Sequence, residues 1–216
     1  MIQQPIDSKL NMAVSAACDS KWGWQQVWPV LIVVIPCLLL NMGGDPVRQA
    51  LEYDRSAILH GQLWRVFTGN FVHLGWGHVG EDMTGYVLLY LLLKDVFPGW
   101  RCPLLVVLGS LGVGIGILLG DPGLRWYMGV SGALNTLWIA GAMLLMQQRD
   151  WIGWVLGVFL SLKLIYEQLQ GPLPWSVATT GGPVAVDSHL YGAFTGVILG
   201  LVVVVWKRRI EHTPQL

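Results

Sequence analysis

The chain has 216 residues, of which 54% are hydrophobic and 12% charged, with a mean hydropathy of +0.55; soluble domains carry about 25% charged residues. That composition excludes a disordered chain, a nucleic-acid-binding domain and a disulfide-rich secreted module, and 13 basic against 13 acidic residues leave no global field to recruit polyanions. What remains is an integral membrane protein, and the long apolar runs described next make it an all-α one.

Taken from the N-terminus, residues 1–23 are polar, carry no cleavable signal peptide and read as a short cytoplasmic segment. Cys18, Cys37 and Cys102 are odd in number and widely spaced, as neither a disulfide framework nor a metal clip would be. Six apolar runs then approach the length of about 20 residues that a helix needs to cross a bilayer. They are Trp28–Met42 with its flanks, His78–Val96, Pro103–Gly120, Val130–Gln147, Ile152–Leu169 and Ser188–Trp206. A long loop, Gly43–Gly77, separates the first two. The predicted membrane domain covers 24–207, and 208–216 form a short cytoplasmic tail.

Orientation follows from the basic residues. With the N-terminus inside, Lys9, Lys21, Lys94, Arg101, Arg149, Lys207, Arg208 and Arg209 lie inside, against Arg48, Arg55, Arg65 and Arg125 outside. Eleven of the twelve tryptophans fall near span ends or in loops, where amphipathic rings prefer to sit; Trp138 is the exception. Both termini are therefore expected in the cytoplasm. The third span carries Gly112-x-x-x-Gly116-x-x-x-Gly120 and the sixth Gly192-x-x-x-Gly196-x-x-x-Gly200, a spacing that lets helix backbones approach closely in lipid.

Polar groups at membrane depth are costly and mark function. Ser131 opens the fourth span in Gly129-Val130-Ser131-Gly132, His189 opens the sixth, and His78, Glu81 and Asp82 open the second. In the topology above these three helices all run outside to inside, so their first turns meet in the outer leaflet. A serine hydroxyl needs a base, and histidine is the usual one. Gly129, Gly132, Gly192 and Gly196 would let the helices pack closely enough for Ser131 and His189 to meet. Free N–H groups at the helix start would stabilise an oxyanion, with His78 as an added donor.

These residues resemble the rhomboid family of intramembrane serine proteases, which have a six-helix core. The matching motifs are Gly129-x-Ser131-Gly132, His189-x-x-Gly192-x-x-x-Gly196, Trp64-Arg65, and His73 with His78 before the second helix. The resemblance spans Trp64 to Gly200. It implies a six-transmembrane-helix bundle in which a Ser131–His189 dyad, without a third carboxylate, cleaves membrane proteins with a single transmembrane helix. Two positions depart from the family pattern. Asp82 stands where rhomboids commonly carry an asparagine oxyanion donor, and an ionised carboxylate only accepts. Asn135 stands where many carry an aromatic against the histidine. The departures and small size resemble the rhombosortase branch, whose substrates are surface proteins with a C-terminal Gly-Gly motif, a helix and a basic tail. That implies a bacterial inner-membrane enzyme whose site faces outward.

Other polar residues have plainer readings. Glu81 complements the positive end of its helix, and Asp82 either does the same or assists the site. His73, His78, Glu81 and Asp82 lack a familiar zinc spacing, so neither metal nor cofactor is expected. Arg65 braces the first loop or meets lipid head groups, and His60 and His212 are surface residues. Lys163 and Glu167 make an i, i+4 pair in the fifth span, read as a structural ion pair. The alternative gives Glu167 a basic or amide group of the substrate. The competing functions are a catalytically inactive rhomboid-like protein that binds transmembrane segments, and a small transporter, which would place its polar groups at the bilayer midplane.

Overall fold

The computed structural model describes residues 23–211. Six long helices account for most of it: α1 (Trp24–Met42), α5 (Trp76–Leu93), α6 (Arg101–Gly120), α7 (Ser131–Gln147), α8 (Trp151–Gln170) and α10 (Val186–Glu211). Each coincides with one of the apolar runs. The N-terminal segment up to residue 22, with Cys18, Lys9 and Lys21, and His212 at the other end lie outside the described residues. Helix α10 continues to Glu211, past the boundary expected at 207.

Four of these helices, α1, α6, α8 and α10 as far as Trp206, are long and apolar enough to cross a membrane. Helix α5 carries His78, Glu81 and Asp82 in its N-terminal half, and α7 has only 17 residues. Helix α7 is the hub. Eleven of its residues are buried, and α5, α6, α8 and α10 all pack on it. Its neighbours turn apolar side chains outward, as α8 does with Trp154, Val158, Phe159 and Leu162. Exposed apolar faces around a buried central helix are what a bilayer requires of a bundle.

Glycine explains how the bundle closes. A Cβ on Gly192 would fall 1.8 Å from the Gly132 carbonyl oxygen, and one on Gly196 would fall 2.6 Å from that of Thr136. Helices α7 and α10 therefore touch backbone to backbone, and the Thr136 hydroxyl donates to the Gly192 carbonyl at 2.7 Å. In α6, Gly112 takes Thr195 of α10, while Gly116 and Gly120 take Tyr191. Both small-residue stripes are packing surfaces, as their spacing predicts. Trp138, the one mid-span tryptophan, stacks on Phe159 at 5.8 Å and donates its indole N–H to the Leu156 carbonyl at 3.1 Å, tying α7 to α8. That bond removes the cost of burying an indole N–H.

The long loop before α5 is more ordered than a simple connection. It contains α2 (Gly44–Leu51), α3 (Arg55–Leu59), α4 (Arg65–Thr68) and a 3₁₀ turn over Gly69–Phe71. It also holds one half of a short ladder: β1 (Tyr53–Asp54) pairs antiparallel with β2 (Trp126–Tyr127), Tyr53 opposite Tyr127. Arg65 is buried and braces this loop, donating to the Gln49 and Glu52 carbonyls at 2.8 and 2.9 Å and to Gln62 at 2.7 Å. His60 lies on the surface and contacts the Ser56 carbonyl. A last short helix, α9 (Pro174–Thr180), sits beside the start of α5. The Thr179 hydroxyl donates there to the Glu81 carboxylate.

Candidate active site

The first turns of α5, α7 and α10 converge. Ser131, the first residue of α7, is half-buried, and its Oγ lies 2.9 Å from Nε2 of His189 in the first turns of α10. The 58 residues between them in sequence are bridged by the glycine contact of α7 with α10: a Cβ on Gly132 would meet the Ser188 carbonyl at 2.9 Å. Gly132, Gly192 and Gly196 thus lie at the helix interface.

Gly129 acts differently from the expectation that it packs helices. It precedes α7 in a turn with φ of +110°, a conformation that side-chain-bearing residues rarely adopt. A Cβ there would lie 2.5 Å from Nε2 of His78. The turn is pinned on both sides. The Gly129 N–H donates to the Gly69 carbonyl at 3.2 Å, and the Tyr127 hydroxyl donates to the Gly129 carbonyl. The β1–β2 pair thereby holds the approach to the serine.

Asp82 is buried behind this turn. Its Oδ2 accepts the Val130 N–H at 2.9 Å and lies 3.1 Å from Nε2 of buried His73. His78 Nε2 is 3.6 Å away, a contact rather than a hydrogen bond. Asp82 therefore engages the backbone immediately before Ser131. The Leu74 N–H donates to His78 Nδ1 at 3.4 Å, so neutral His78 carries its proton on Nε2, toward Gly129. Asn135, one turn after the serine, lies buried on the wall of the cavity that also holds Ser131 and His189.

Sequence reasoning missed the environment of His189. Lys163 and Glu167 form the expected pair, Nζ to Oε2 at 2.7 Å. The same Oε2, however, lies 2.9 Å from His189 Nδ1, and Lys163 Nζ lies 3.2 Å from that nitrogen. A carboxylate thus stands against the histidine, where a bare dyad has none. The signal was present in the topology: α8 runs opposite to α10, so the end of α8 meets the start of α10. Gln168 and Asp187 join across the same junction at 3.2 Å.

Ser131 faces open space on two sides. A cavity of about 380 Å³ runs past His78, Tyr127, Met128 and Ser188 to Arg125. A second, of about 440 Å³, runs between α5 and α8 along Leu88, Leu92, Leu134 and Phe159. A nucleophile with a base, N–H donors beside it and an apolar groove leading to it can perform acyl transfer on an extended peptide held in that groove.

The Rhomboid domain model matches residues 60–206 of the chain. That segment begins in the loop before α5 and includes every residue of the site. No curated protein matches the sequence.

Proposed function

The chain belongs to the rhomboid family, and on that premise we propose that it is an intramembrane serine endopeptidase using a Ser131–His189 dyad. The observation that carries the reading is the 2.9 Å contact between Ser131 Oγ and His189 Nε2 at the head of a cavity open between α5 and α8. Ser131 Oγ–H donates to Nε2, so attack on a peptide carbonyl carbon forms the Oγ–C bond as the proton passes to His189. The oxyanion is met by the Ser131 backbone N–H, which the helix leaves free, and by His78 Nε2–H. His189 then returns the proton to the leaving amine as the C–N bond breaks, and water attacks the acyl-enzyme to restore Ser131.

All six long helices cross the bilayer in this reading, with both termini inside and the site toward the outer face. Substrates are membrane proteins with a single transmembrane helix, entering from lipid through the apolar groove. A stable helix hides its carbonyls, so small, helix-destabilising residues at the cut favour cleavage. The finer assignment is the rhombosortase branch in a bacterial inner membrane, removing a C-terminal Gly-Gly-type anchor from surface proteins. The presence of Asp82 where rhomboids commonly carry asparagine supports it.

The test is labelling of the detergent-solubilised chain with a serine-directed fluorophosphonate. Labelling present in the wild type and lost in Ser131→Ala and His189→Ala supports the reading. Labelling that survives Ser131→Ala identifies a different nucleophile, and no labelling of folded wild type favours the non-catalytic binder of transmembrane segments.

A further inference from the structure

Helices α8 and α10 bring three ionisable groups together. His189 Nδ1 faces Glu167 Oε2 at 2.9 Å and Lys163 Nζ at 3.2 Å, and the latter two are 2.7 Å apart. An ion pair within α8 needs no partner on another helix, since Lys163 and Glu167 at i and i+4 already satisfy each other. Yet the carboxylate is directed at the imidazole and is itself 2% exposed.

We propose that Glu167 is a positioning residue for His189, holding it in the tautomer that the base requires. This rests on the reading of Ser131 as nucleophile. For Nε2 to accept the serine proton, the neutral ring must carry its own proton on Nδ1, and Glu167 Oε2 is the acceptor there. Lys163 works against that tautomer when alone, because its N–H groups would donate to a bare Nδ1 and drive the ring proton onto Nε2. With Glu167 present, the ammonium donates to the carboxylate instead. Lys163 thereby offsets the charge of a buried carboxylate, and Glu167 turns a ring-facing cation into a neutral pair. When the imidazolium forms, its Nδ1–H remains on the carboxylate, so no atom of the pair moves during proton transfer. The chemistry is that of the acid in a serine-protease triad, reached from a helix that contributes no other residue to the nucleophile.

The groups around His189 are Glu167 and Lys163 on α8, Ser131 on α7, His78, Glu81 and Asp82 on α5, and Asp187 on α10 itself. Of these, only Glu167 offers an acceptor to Nδ1.

The experiment compares fluorophosphonate labelling rates of Ser131 in the full chain for wild type, Glu167→Gln, Glu167→Asp and the double variant Lys163→Met/Glu167→Gln. It is paired with ¹⁵N spectra of the imidazoles, in which His189→Gln identifies the His189 signals. The double variant removes the cation that Glu167→Gln would leave unpaired, so it separates folding from positioning. The expected result is a rate loss of on the order of a hundredfold or more in Glu167→Gln. The loss persists in the folded double variant, Glu167→Asp recovers part of the rate, and the ring proton moves from Nδ1 to Nε2 in Glu167→Gln. Wild-type rate and an unchanged Nδ1–H signal in the double variant would overturn the proposal. If Ser131 is never labelled while the tautomer still follows Glu167, the contact stands and the protease reading fails.

Discussion

Asp82 and Glu167 are both buried carboxylates, at 5% and 2% exposure, and each uses one oxygen to meet two donors. Their surroundings differ. Asp82 accepts the Val130 N–H and meets His73 beneath a turn that is itself pinned by Gly69 and Tyr127. Glu167 meets two side chains, Lys163 and His189, at the end of a helix where only Gly153, Gly157, Leu160 and Glu167 are buried. One carboxylate holds main chain before Ser131; the other meets the ring of His189. A main-chain clamp fixes geometry at the cost of rigidity, whereas a side-chain clamp can sit beside an open groove. On the proposed function, the contrast predicts different failures at the two sites: loss of fold at Asp82, loss of chemistry at Glu167.

The largest effect is expected where that contrast is sharpest. Asp82→Ala leaves the Val130 N–H and His73 without their acceptor, which should cost about 2–5 kcal/mol and lower the thermal midpoint in detergent along with folded yield. A variant that keeps wild-type stability but loses labelling would make Asp82 part of the chemistry and erase the distinction. Gly129→Ala should follow, at about 2–4 kcal/mol from the positive φ and the collision with His78. Normal stability and labelling in that variant would show that the turn can adopt another conformation.

Lys163→Met should cost less, about 1–3 kcal/mol, because His189 still donates to Glu167. Labelling of Ser131 should persist in it; abolished labelling in a stable Lys163→Met protein would transfer the positioning role to the lysine. The smallest effect is expected for Thr179→Ala. It touches neither carboxylate of the comparison, and its hydrogen bond to Glu81 is solvent-exposed, so stability should change by under about 1 kcal/mol. A large destabilisation there would mean that α9 is a structural strut for α5.

Much of the helical framework was legible because it is local. The six apolar runs needed only their length and composition to be seen, and all six are helices whose ends fall within a few residues of the runs. Gly192 and Gly196 announced close packing because four-residue spacing puts small residues on one face. Ser131 and His189 were found because chemistry-bearing residues at the starts of like-directed helices must end at one level. The antiparallel β1–β2 pair was not legible: two-residue strands leave no periodicity, and the partners sit on separate loops. Gly129 was misread for a related reason, since a glycine beside a helix start looks the same whether it serves packing or a positive φ.

What the sequence by itself determined, then, is membership of an apolar helical class and the placing of Ser131 and His189 each at the start of its helix, because both follow from patterns within single helices. Only the tertiary structure decided what each carboxylate does. Asp82 meets Val130 across 48 residues and Glu167 meets His189 across 22. Neither spacing encodes a contact; a carboxylate four residues from a lysine predicts a salt bridge whether or not a third group waits on the neighbouring helix. Helix α8 packs closely on α7 through Gly153 and Gly157, far from the histidine, and its last turns bring Glu167 within hydrogen-bond reach of His189.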